Sequence, residues 1–394
     1  MADGSLDKLW ILIPAARRAS GQWIDDTLKE RAREKEMTAR IPLAGQFPRQ
    51  RLEVIRGRDP WSAVNDLFYR RGWTDGLPIV PPTVGKVEQM LARCTLARNQ
   101  VIAELDPLKG QATAEKIAIN AVMAGCAPEY FPAVTAITQA IADPEFNLRG
   151  VQTTDENVAP LLIFSGEVVS RLDINSSFGA LGPGWRANAT IGRAVRLIMH
   201  NIGGGWPGAV SLAGLGQAGR YTLCVGENAA LNPWEPLHVE LGHAPAAGTV
   251  TVMRAETAIN VTGGLEELAS VMGSAASHFS IMHGGKVAIG LAPYVARQCA
   301  ERGMSKRNVK YWLHEHGRMR TEDWKRSWAF AVMKSVRWPR WVTEAAARGA
   351  IPVVESPNDI VLFVAGGDLP IPQNVYFPSW GFPPCRITKE IPAA

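Results

Sequence analysis

Five short apolar runs do most to limit the folds open to this chain: residues 161–165, 221–226, 249–254, 286–291 and 360–365. Each has the length of a single strand. Helical stretches separate them. One covers 115–124 and is stopped by Gly125; Pro128 opens another that runs to Ala142. Further helices are expected over 188–201, 265–277 and 294–301, and Ser305 caps one that reaches His316. Strands alternating with helices predict an α/β fold, with mixed sheet layers and flanking helices. Two pseudo-related halves, with a subdivision near residue 245, remain open.

At 394 residues the chain can bury a sizeable core. Residues 1–59 mix many basic and acidic side chains, with a helix expected over 24–36. They read as an N-terminal arm that wraps the body or a neighbouring subunit, and hence as a hint of a homo-oligomer. The α/β catalytic body is taken as 60–394. Its Thr74-Asp-Gly-Leu-Pro-Ile-Val-Pro-Pro-Thr83 stretch must be extended, because Gly76 and the prolines forbid a helix.

No apolar run approaches the ~20 residues of a membrane span. A cytoplasmic protein with no membrane partner is the expectation. The five cysteines are widely spaced, without a CxxC pair or zinc-ribbon spacing, which points to reduced thiols rather than a disulfide scaffold. Residues 301–341 hold eleven Lys or Arg against four Asp or Glu, interleaved with tryptophans. Without a nucleic-acid motif this reads as a solvated face or a protein contact, so no nucleic acid is expected.

The chemistry-bearing stretch is Gly182-Pro-Gly-Trp-Arg-Ala-Asn-Ala-Thr-Ile-Gly192. A glycine-rich turn runs into a helix that Asn188 is placed to cap. Free N–H groups, the helix dipole, Arg186 and Arg193 together suit a small anion. Gly184, Trp185, Arg186, Asn188 and Arg193 are the expected substrate-binding residues. Glu227 and Asn228 join them from the end of a strand, where ligands of α/β sheets sit. The plain alternative is that the glycines only supply backbone angles.

Cys126 stands just ahead of Pro128, where a helix dipole favours the thiolate of a nucleophile or redox thiol. Cys224, in the 221–226 strand and on the face of Thr222, is a second candidate thiol. The alternative for both is an inert core thiol. In Trp234-Glu-Pro-Leu-His-Val-Glu240 the proline argues for an extended segment. His238 and Glu240 then point the same way, and Glu235 or Glu240 can serve His238 as a general acid/base pair. A divalent metal held there is the weaker version, and a structural hydrogen-bond network is the plain one.

Four phrases resemble one bacterial family. They are Thr74-Asp-Gly-Leu-Pro-Ile-Val-Pro-Pro82, Glu115-Lys-Ile-Ala-Ile-Asn-Ala-Val-Met-Ala-Gly-Cys126, Pro183-Gly-Trp-Arg-Ala-Asn-Ala-Thr-Ile-Gly-Arg193 and Trp234-Glu-Pro-Leu-His-Val-Glu240. The family is found beside, or fused to, proteins with a UGSC motif (U is selenocysteine). The likeness starts near Pro60; residues 1–59 and Cys385 stand outside it. The UGSC proteins look like a subunit of selenol-dependent reductases, so the resemblance implies redox or thiol chemistry and a UGSC-type partner. The expectation is an enzyme that cleaves or forms a carbon–heteroatom bond, C–S among them, on a small anionic substrate. The alternatives are a hydratase or hydrolase using His and carboxylates, and a non-catalytic subunit of a reductase-type complex. No feature names an organic cofactor.

Overall fold

A computed structural model describes residues 8–12, 52–56, 58–333 and 337–392. Eight strands build two large sheets. They are β1 (Ala159–Gly166), β2 (Cys224–Gly226), β3 (Gly248–Ala255), β4 (Ile259–Thr262), β5 (Val287–Leu291), β6 (Ile360–Val364), β7 (Gln373–Phe377) and β8 (Ile387–Glu390). The first sheet has the order β8-β3-β1-β2 and the second β4-β7-β5-β6.

The two sheets share one pattern of directions. In the first, β1 is parallel to β2 and antiparallel to β3, which is antiparallel to β8. In the second, β5 is parallel to β6 and antiparallel to β7, which is antiparallel to β4. The fourth strand of each is exchanged: β4 follows β3 in the chain yet pairs in the second sheet, and β8 follows β7 yet pairs in the first. Pseudo-related halves are therefore present in the topology, but a boundary near 245 would sever β3 from its own sheet.

Strand alternation sorts the core into layers. Leu161 and Ile163 of β1 meet Val361 and Phe363 of β6 and Phe377 of β7, so the sheets pack face to face. The opposite faces, with Leu162, Phe164, Val250 and Val252, lie against helices α3 (Ala114–Ala124), α4 (Phe131–Ile141) and α5 (Arg186–Asn201). Across the molecule Ile289 and Leu362 lie against α6 (Leu265–Met272), α7 (Pro293–Glu301) and α8 (Lys306–His316). The result is an α/β/β/α sandwich in which β1, β2, β3, β5 and β6 are buried on both faces, which is why these read as continuous apolar runs.

Lys8–Leu12 pairs antiparallel with Leu52–Arg56, and Ile55 packs on the main core. The helix expected over 24–36 lies outside the described residues. The basic, Trp-rich segment forms α8 and shorter helices around the buried Trp324, which packs with Ile281, Val342 and Ile351. No helix among the described residues is long and apolar enough to cross a membrane.

Helix ends differ from expectation where tertiary demands win. The helix expected from Asn188 begins at Arg186, and Trp185 at its N-cap offers no side-chain bond. Asn188 is buried instead. Its amide donates to the carbonyls of Asn175 (3.0 Å) and Cys224 (3.1 Å) and accepts from Asn175 N–H (2.8 Å), fastening α5 to β2.

Candidate functional site

The glycine loop and the Cys126 turn do meet. Arg186 Nε donates to Gly125 O (3.0 Å), and the Cys126 thiol donates to Thr190 O (3.3 Å). The expected thiolate is not favoured, however. Burial pushes the Cys126 thiol up to about 12, despite the opposing charges of Arg186 and Arg193. The helix expected from Pro128 is present, as a three-residue turn, Pro128–Tyr130, that runs straight into α4, so burial outweighs whatever its dipole offers the thiol. Burial also raises Cys224.

Arg193, expected to bind substrate, is already engaged. It clasps both carboxylate oxygens of Asp75 (2.8 and 2.9 Å) and donates to Pro78 O (2.8 Å), which pins the proline-rich segment to α5. Gly184, Trp185 and Arg186 stay exposed on the loop. A second cavity, about 460 Å³, opens beside this loop and is lined by Gly182, Asn188, Thr222 and Cys224 among others.

The 234–240 segment is not extended at its end. Leu237–Glu240 is a one-turn helix, so His238 and Glu240 diverge. Glu240 pairs with Lys306 (2.7 Å) and Lys310 (2.6 Å) of α8; burial alone would raise it, but the two ammonium groups hold it below the usual carboxylate range. Glu235 is exposed, and its carbonyl accepts from Lys306.

His238 sits instead on Ser165, at the end of β1. Its Nε2 donates to Pro245 O (3.2 Å), which leaves Nδ1 to accept from the Ser165 hydroxyl (2.7 Å). Glu227 Oε2 is 2.5 Å from the same hydroxyl and accepts from Leu237 N–H. One hydroxyl proton cannot serve both neighbours. Burial raises Glu227, and the Ser165 hydroxyl bridges its carboxyl group and the His238 ring. Serine stands in the middle here, unlike a nucleophilic triad, where the base lies between. Ser165, His238 and Glu227 are 0, 2 and 1% exposed, so no substrate reaches them. Asn228 N–H donates to Val364 O (2.7 Å), tying the end of β2 to β6. The Glu227–Glu240 constellation is thus a buried fastening between sheets and α8. Among the described residues no group of three or more His, Cys, Asp and Glu could hold a metal ion.

The larger cavity, about 710 Å³, lies on the other side of the Arg193 clasp. It is bounded by the turn after α1 (Pro60–Arg70), by Arg196 and His200 of α5, and by the loop from Gly205 to Tyr221. Tyr69, Trp206, Leu215 and Tyr221 give it apolar and aromatic walls. Arg196 Nε donates to the Arg220 carbonyl (2.7 Å), while its Nη2 is buried and has no hydrogen-bond partner. Arg220 Nη2 donates to Ser211 Oγ (3.0 Å).

Asp75 is the acid whose charge reaches Arg196, and both its oxygens hold Arg193. Among the described residues neither Arg196 nor Arg220 forms an ion pair with a carboxylate. Burial, reinforced by Arg220, pushes Arg196 down to about 9; burial lowers Arg220 too. His200 Nε2 donates to Gly72 O (2.9 Å), and burial pushes the ring down to about 4, so it is neutral near pH 7. Trp206 stands edge-on to it.

Sequence reasoning missed Arg196, Arg220, Trp206 and Ser165. For Arg196 the signal existed: Arg193, Arg196 and His200 are spaced i, i+3, i+7, one face of a helix. No family model matches the chain, and no curated protein or solved structure matches it either.

Proposed function

We propose that this protein binds a small organic anion in the 710 Å³ cavity and holds it through Arg196 and Arg220. The observation that carries the reading is that Arg196 and Arg220 both line this cavity and that neither, among the described residues, pairs with a carboxylate. Leaving a charged donor unpaired in a low-dielectric site is costly, and an anionic ligand removes that cost. The small-anion part of the expectation is kept, but its seat moves from the glycine loop to the next turns of the same helix. His200, neutral and oriented by Gly72, offers Nδ1 as a hydrogen-bond acceptor to a ligand hydroxyl or amide.

The test is calorimetric titration with a panel of aromatic carboxylates and phosphate esters. Charge-assisted hydrogen bonds contribute about 1.5–3 kcal/mol, so Arg196→Gln should weaken binding roughly ten- to hundredfold. Unchanged affinity in that variant would sink the reading.

A second reading has one observation in its favour: Cys224 lines the 460 Å³ cavity beside the glycine loop. Under it the chain is an enzyme whose thiol works on a carbon–heteroatom bond, in keeping with the UGSC resemblance. Its weakness is the burial that holds Cys224 as a thiol. Turnover that is abolished in Cys224→Ser, with the fold intact, would favour it over the first.

A further inference from the structure

The charge balance of the larger cavity narrows its ligand, given the anion-binding reading above. Asp75 and Arg193 neutralise each other. Arg196 and Arg220 are left over, as two positive charges on one wall. Burial, and after it the charge of Arg220, disfavours the charged form of Arg196, and burial does the same to Arg220. A monoanion would offset one and leave the other uncompensated among apolar groups, where a Coulomb interaction is several times stronger than in water. The donors are also grouped. Arg196 Nε is tied to the Arg220 carbonyl and the Arg220 guanidinium to Ser211 Oγ, so both side chains stand on the wall formed by α5 and the loop from Gly205 to Tyr221. Tyr69, Trp206 and Tyr221 supply a wall suited to a flat, apolar body.

We infer that the ligand carries a compact double negative charge on an aromatic or similarly flat body, as an aryl phosphate monoester does. A phosphate group brings three strong acceptor oxygens and close to two charges above its second pKa of about 6. That matches two guanidinium forks better than a single carboxylate does.

Two probes of nearly the same shape separate charge from fit: phenyl phosphate, a dianion at pH 8, and methyl phenyl phosphate, a monoanion. Calorimetry on the full chain at pH 8 should show phenyl phosphate binding at least tenfold tighter. The gap should close towards pH 5, as the second proton returns to the monoester. Arg220→Gln should cut phenyl phosphate affinity about tenfold or more and the diester less than threefold. Arg220→Lys, which keeps the charge, should restore most of the difference, and thermal unfolding of both variants checks that they fold. Equal affinity for the two probes, or preference for the monoanion, would overturn the dianion inference while leaving anion binding intact. No heat with either probe or with benzoate, together with no effect of Arg196→Gln on stability, would remove both.

Discussion

Single residues carry the most revealing departures. Asn188 and His238 are polar residues at places where the sequence offers an obvious task, a helix cap and a base beside a carboxylate. Both are buried and take partners far away in the chain: Asn188 binds Cys224 O and His238 binds Ser165. Those partners are set by how α5 and β1 pack, which no local spacing encodes. Arg193 shows the converse, since its partner Asp75 stands in a segment the sequence marks as rigid, yet the pairing spans over a hundred residues.

His200 gives a prediction at this scale. Its native value near 4 lies below the unfolded value of about 6.5, so its share of stability is present above pH 6.5 and is lost as pH falls towards 4. That share changes by at most about 1.4 kcal/mol per pH unit. Urea unfolding of His200→Gln should show a shallower loss of stability between pH 6.5 and 4 than the parent. His283, also pushed to about 4 by burial, keeps its own contribution in the variant. Parallel slopes would show that His200 does not titrate in this way.

Elements were the most legible level. Strands β1, β2, β3, β5 and β6 fell on the five apolar runs, whereas β4, β7 and β8, whose burial is mixed, were not foreseen, and α8 begins after Ser305 with a reciprocal cap. Gly125 ends α3 in the left-handed conformation, with φ +91°, as a glycine after a helix should. The illegible part was how closely elements approach. Gly192 faces the segment that leads into β2 so tightly that an added Cβ would run into Thr222. Gly192→Ala should therefore destabilise by about 1–3 kcal/mol, by overpacking rather than by loss of helix propensity. A chemical melt checks this, and unchanged stability in the variant would contradict the overpacking. Because α5 carries Arg196 and His200, the variant should weaken ligand binding as well.

For the whole molecule, α/β class and sheet layering followed from the sequence. Exchange of the fourth strands did not, because strand order within a sheet depends on pairings that periodicity leaves free. The exchange predicts one cooperative unit. Fragments 1–245 and 246–394 should each lack a cooperative thermal transition, since the first loses β3 and β8 and the second lacks β1 and β2. Circular dichroism of the separate pieces is the check, and an independent sharp transition in either would contradict it.

That exchange also sets a timetable for biosynthesis. The sheet that starts at Ala159 receives its last strand only when Ile387–Glu390 has been made, more than two hundred residues later. At about 5–20 residues per second the ribosome needs on the order of ten seconds or more to cover that span. Once Val250 and Val252 have been made, their strand keeps an unpaired border for about 130 of those residues, a template for wrong neighbours. Nascent chains of this protein should thus depend on shielding by chaperones until Ile387–Glu390 has emerged, and slowing translation should lower the soluble yield rather than raise it.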